Sequence, residues 1–131
     1  MARIAVVDDD TMLLELLQEL FTEKGWELLP CAQGSAAFEL LKQEHPDAIL
    51  LDLVLETPVG GWQILQRLKQ DPLTRSIPVI IWSAAADHLH DKESWLAEQG
   101  IPILCKPFEI DALYQTVEAA LTGKVTDLQL P

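Results

Sequence analysis

The chain has 131 residues, of which 49% are apolar, and a formal net charge of −12. That length supports the core of one domain, and no apolar run is long enough to span a bilayer. An acidic surface of this size repels phosphate backbones and anionic headgroups, so neither nucleic acid nor a membrane is an expected partner.

The opening residues run directly into an apolar segment, residues 4–7, closed by Asp8 and Asp9. This reads as a buried strand and not as an export signal, which makes the cytoplasm the expected location. A helical pattern follows, with Asp10 as its expected amino-terminal cap. Leu13, Leu16, Leu17 and Leu20 are predicted to share its apolar face, and Gly25 its stop. A second strand is predicted over 26–31 and a second helix over 35–44. His45 and Pro46 then form a turn before a third strand, 48–53, which carries Asp52 near its end. A third helix covers 61–70 and is closed by Asp71-Pro72. The fourth strand is 79–83, ending on Ser83. The fourth helix, about 89–99, has a thin apolar stripe of Leu89, Trp95 and Leu96 and should be the most weakly held. A fifth strand, 101–105, leads into Lys106-Pro107. The last helix is built on Ile110, Leu113, Val117 and Leu121 and is expected to end at Gly123. The domain is therefore placed at 1–122, with a short flexible tail at 123–131.

Five β/α repeats imply a doubly wound, five-stranded parallel sheet, flavodoxin-like, with helices on both faces. Proline inside a strand belongs at a sheet edge, which sends strand two (Pro30) and strand five (Pro102) outward. With right-handed crossovers the strand order is 2-1-3-4-5. The chain direction then switches between strands one and three, beyond whose carboxyl ends ligands bind. Asp8, Asp9 and Asp52 fall at that point. Two carboxylates roughly 4–5 Å apart repel by about 3–4 kcal/mol at an effective dielectric near 20, so the cluster calls for a cation or a proton. Cys31 and Cys105 lie on opposite edges, too far apart to pair, and read as ordinary buried thiols in a reducing compartment. No histidine has metal-ligand spacing. Trp82, next to Ser83, is a candidate fluorescent reporter.

Asp8, Asp9, Asp52, Ser83 and Lys106, in the segments VVDDD, LLDL, WSA and CKPF, resemble the receiver domain of bacterial two-component response regulators over about residues 3–121. The resemblance implies that Asp52 is a phosphoacceptor charged by a sensor histidine kinase or a histidine phosphotransfer protein. It implies Mg2+ held by Asp9, Asp52 and the main-chain carbonyl of Val54, with Asp8 acting through water. Lys106 would meet the phosphoryl oxygens and Ser83 would supply a hydroxyl. Ala84, being small, would leave the site open, and the Lys106-Pro107 bond is a candidate cis peptide. The message would pass to a downstream target protein through the fourth helix, fifth strand and fifth helix, with a weak homodimer as a further option. Self-dephosphorylation is expected, and the chain is read as a stand-alone receiver or as a receiver excised from a longer chain.

Two departures bear on switching. Where such domains often carry Tyr or Phe three residues before the lysine, this chain has Ile103, and the loop after Asp52 reads one residue longer than usual. Three other readings compete. An aspartate-nucleophile phosphatase of the haloacid-dehalogenase type would need an acid where Val54 stands. A flavin-binding module would not place three acids after strand one. A degenerate receiver could serve as a scaffold only.

Overall fold

The structure, a computed structural model, describes residues 1–53, 60–83, 93–105 and 108–129. Five strands, β1 (Arg3–Val7), β2 (Glu27–Cys31), β3 (Ala48–Asp52), β4 (Val79–Ser83) and β5 (Ile103–Cys105), form one sheet. All neighbours pair in parallel and the order is β2-β1-β3-β4-β5, as the sequence predicts. β3 is buried along its whole length, which is why AILLD reads as a continuous apolar run and not an alternating one.

Five helices cover the sheet among the described residues: α1 (Thr11–Glu23), α2 (Gly34–Glu44), α3 (Gly60–Gln70), α4 (Glu93–Glu98) and α5 (Ile110–Gln129). Alternation along the strands divides the core in two. Ala5, Val7, Ile49, Leu51, Val79 and Ile81 pack with α2, α3 and α4 through Phe38, Leu41, Leu65, Leu68 and Leu96. Ile4, Val6, Leu50, Ile80, Trp82 and Leu104 pack with α1 and α5 through Leu17, Phe21, Leu113 and Val117.

The prolines behave as edge markers, with one correction. Pro30 lies inside β2, opposite Val6, on an edge strand where its missing N–H removes no interior ladder bond. Pro102 lies just before β5 and not within it; its carbonyl still accepts from the Ile81 N–H at 2.9 Å.

Three further expectations change. On α1 the buried stripe is Leu14, Leu17, Leu20 and Phe21, with Leu13 at its margin, while Leu16 is 45% exposed. Leucines at 13, 14, 16, 17 and 20 allow two overlapping stripes, and docking on the sheet selects between them. α5 continues through Gly123 to Gln129: a glycine inside a helix costs only about 1 kcal/mol and does not by itself end it. Cys31 is buried as expected, but Cys105 is exposed at the end of the edge strand β5. Gly25 does act as the stop of α1, with φ +77° and its N–H donating to the Thr22 carbonyl at 3.0 Å.

Among the described residues of its predicted range, α4 covers Glu93–Glu98. Leu96 is fully buried and the Trp95 ring stands edge-on to Trp62 of α3, centroids 5.2 Å apart. Leu89 lies outside the described residues.

Candidate functional site

The site is built at the carboxyl ends of β1 and β3. These strands pair in parallel, Val7 opposite Leu51, so the residues that follow emerge side by side. Asp8 is held at both ends of its residue. Its N–H donates to the Cys31 carbonyl of the β2 end at 3.1 Å, and its carboxylate Oδ1 accepts from the Asp10 N–H at 2.9 Å. Asp10 in turn caps α1, its Oδ1 accepting from the Leu13 N–H at 3.2 Å. One turn of backbone therefore serves two purposes: it starts α1 and it aims Asp8.

Asp8, Asp9 and Asp52 each bring a carboxylate oxygen within 4.8 Å of the others. Asp8 is 1% and Asp52 5% exposed, whereas Asp9 faces solvent. At that separation each pair of charges repels by about 3–4 kcal/mol at an effective dielectric near 20. Two of the three also forgo much of their hydration. A small divalent cation reverses the sign of this balance. The donor set suits Mg2+, which accepts a few carboxylate oxygens and fills its remaining positions with water and phosphate oxygens.

β4 delivers Ser83 to the same end of the sheet, in register with Cys105 of β5, while Trp82 pairs with Asp52. Trp82 is fully buried, its ring 5.6 Å from that of Phe108. Val54, Ala84, Lys106 and Pro107 lie outside the described residues. Ile103, at the position of the expected aromatic, is half-buried against the core that includes Ile81, Leu96 and Ile101.

Sequence reasoning missed one residue that shapes the site. Gly61, in the first turn of α3, packs directly on the end of β3. A Cβ there would overlap the Asp52 carbonyl oxygen and sit 2.5 Å from the Leu53 Cα. The signal was the Gly60-Gly61 pair, two residues of poor helix propensity at the start of a helix, a place where only close backbone approach makes them useful.

The sequence model of the response regulator receiver domain matches residues 4–118. The chain belongs to the response-regulator receiver family. PilH of Pseudomonas aeruginosa is 35% identical over 124 residues, a match covering 94% of this chain and all of that protein. The receiver domain of Francisella response regulator 1452 has a TM-score of 0.80 at 27% identity, covering 95% of this chain and 99% of that one. A CheY-like receiver protein from Methanospirillum hungatei superposes with a TM-score of 0.84 at 20% identity over 97% of this chain, a likeness of fold alone. Receivers of this family act as phosphoacceptors in two-component signalling. The family match sets the chain apart from the phosphatase and flavin-binding readings. No described helix is long and apolar enough to cross a membrane.

Proposed function

We propose that this receiver takes a phosphoryl group onto Asp52 from a phosphohistidine of a sensor kinase or phosphotransfer protein. The observation that carries the reading is the convergence of Asp8, Asp9 and Asp52 at the switch point of the sheet in a receiver-family chain.

In the proposed reaction an Asp52 carboxylate oxygen attacks phosphorus. The new O–P bond forms as the P–N bond to histidine breaks, and the leaving imidazole nitrogen keeps the electron pair and takes a proton. The product is an acyl phosphate. Transfer of this kind depends on placement and charge compensation more than on covalent assistance. Asp9, Asp52 and the Val54 carbonyl would hold Mg2+, with Asp8 joining through water. When bound, the ion supplies neutralisation of the phosphoryl oxygens beside the carboxylates. Lys106 would contribute a point charge to those oxygens and Ser83 a hydroxyl. Ala84, being small, would leave room for the group, and Pro107 would fix the chain beyond Lys106. Self-dephosphorylation would follow by attack of water on phosphorus, breaking the O–P bond and releasing phosphate.

Phosphorylation adds roughly −1.5 to −2 charges. The proposed output surface is α4, β5 and α5, read by a target protein. Ile103 of β5, Trp62 of α3 and Trp95 of α4 each pack against the core on one face of the sheet, which joins this surface to the interior.

The test is acetyl phosphate with Mg2+, read by intact-protein mass. The wild-type chain should gain one phosphoryl group, lost on addition of a chelator before reaction, and Asp52→Asn should gain none. Labelling of the Asn variant to the wild-type extent would overturn the assignment of Asp52.

A further inference from the structure

At the opposite end of the sheet from the acidic cluster lies a cavity of about 730 Å3, bounded by the end of α3, the segments leading into β4 and β5, and α5. Its size falls within the range of small-molecule sites, roughly 300–1,000 Å3. Its walls carry somewhat more apolar than polar surface, with Ile77, Ile101 and Ala120 on the apolar side and Lys69, Gln99 and Thr116 adding polar atoms.

Two features of this lining stand out against the rest of the chain. The protein carries 21 acidic residues and a net charge of −12, yet no carboxylate is among the described residues that line the cavity. The one cation among those residues is Lys69, whose Nζ donates a long hydrogen bond to the Arg75 carbonyl at 3.4 Å and pairs with no described carboxylate. Lys42 and Arg67, by contrast, both have acidic partners on the same side of the molecule. Burial pushes the Lys69 ammonium below the ordinary lysine value, because a charge held beside apolar walls lacks hydration. A ligand anion would restore what burial removes.

We propose that this cavity binds a small amphiphilic monocarboxylate, its carboxylate on Lys69 and its apolar body against Ile77, Ile101 and Ala120. One cation compensates one negative charge. A doubly charged phosphate would leave the second charge uncompensated in a strongly acidic protein, whereas an apolar tail uses walls that a hydrophilic anion would leave unfilled. The inference is independent of the chemistry proposed at Asp52, from which the cavity is separated by the length of the strands.

The experiment is an amide NMR titration of the full chain with octanoate, and in parallel with 1-octanol. Octanoate should produce saturable shifts centred on Gly100, Ile101, Thr116 and Ala120. Lys69→Met should weaken binding about tenfold or more, the loss of one charge-assisted contact, and Lys69→Arg should keep most of it. Ala120→Leu, which adds bulk to the apolar wall, should weaken octanoate without touching the cation. Absence of saturable shifts, equal affinity in Lys69→Met, or equal affinity of the alcohol for the wild-type chain would each overturn the proposal. The alcohol comparison needs no variant and decides the matter even if Lys69→Met does not fold.

Discussion

Gly61→Ala is the sharpest test of how the fold holds Asp52. Real Cβ atoms essentially never come within 3.0 Å of a heavy atom, whereas this one would stand 2.5 Å from the Leu53 Cα and 2.8 Å from its carbonyl carbon, and closer still to the Asp52 carbonyl oxygen. The obstacles are backbone, so no side-chain rotation relieves them. The Asp52–Leu53 backbone must retreat by roughly 0.8 Å, or α3 must lift from β3 and loosen Ile64, Leu65 and Leu68 in the core. Overpacking of this kind costs about 1–3 kcal/mol, offset by at most about 1 kcal/mol from alanine's better helix propensity. A shift of Asp52 approaching 1 Å is enough to slow a positioned reaction by about 100-fold. The expected result is a lower urea midpoint, together with a rate of phosphorylation by acetyl phosphate reduced by about 10- to 100-fold. Gly100→Ala is the control. Its φ is +71° and nothing lies within 4 Å of the added Cβ, so it should lose stability through backbone strain alone and phosphorylate at the wild-type rate. Wild-type stability and rate in Gly61→Ala would refute the reasoning.

Three further outcomes follow from single contacts. The Asp71 carboxylate accepts from the Leu73 N–H and pairs with Lys42, both of which hold its pKa below the ordinary aspartate value. The charged form is favoured in the fold, so its contribution is complete above about pH 4 and is lost as pH falls through the lower folded value. The urea-midpoint gap between wild type and Asp71→Asn should therefore narrow on going from pH 7 to strongly acidic solution; a constant gap would contradict it. Cys105 is exposed, while Cys31 is buried, donates to the Gln33 carbonyl and has its thiol pKa pushed up by burial. Iodoacetamide should label Cys105 first and reach Cys31 only as the chain opens, and equal rates by peptide mass would contradict that. Beryllofluoride with Mg2+ should change tryptophan fluorescence through Trp82, which pairs with Asp52. The change should vanish in Trp82→Phe and survive in Trp26→Phe, whose ring packs between Phe21 and Tyr114; the reverse pattern would remove Trp82 as reporter.

Much of this architecture was legible in the order of residues. A strand buried on both faces must be apolar throughout, so AVV before Asp8 and AILL before Asp52 mark strands without reference to any neighbour, and the acids after them mark the sheet edge that faces water. Pro30 identified an edge because a missing donor is harmless only there. Asp10 and Gly25 bounded α1 through local backbone chemistry that acts within a few residues. Other features were decided only when distant segments met. Leu14 was chosen over Leu16 by the orientation of α1 on β1 and β2. Gly123 left α5 uninterrupted because a glycine ends a helix only when it leaves the helical backbone conformation. The demand for glycine at position 61 comes from the end of β3 pressing on α3, and the placement of Lys69 in a hollow lined by no described carboxylate comes from four segments that are far apart in the chain. Patterns set by burial and local hydrogen bonding are written residue by residue, whereas contacts between elements depend on where whole helices come to rest on the sheet.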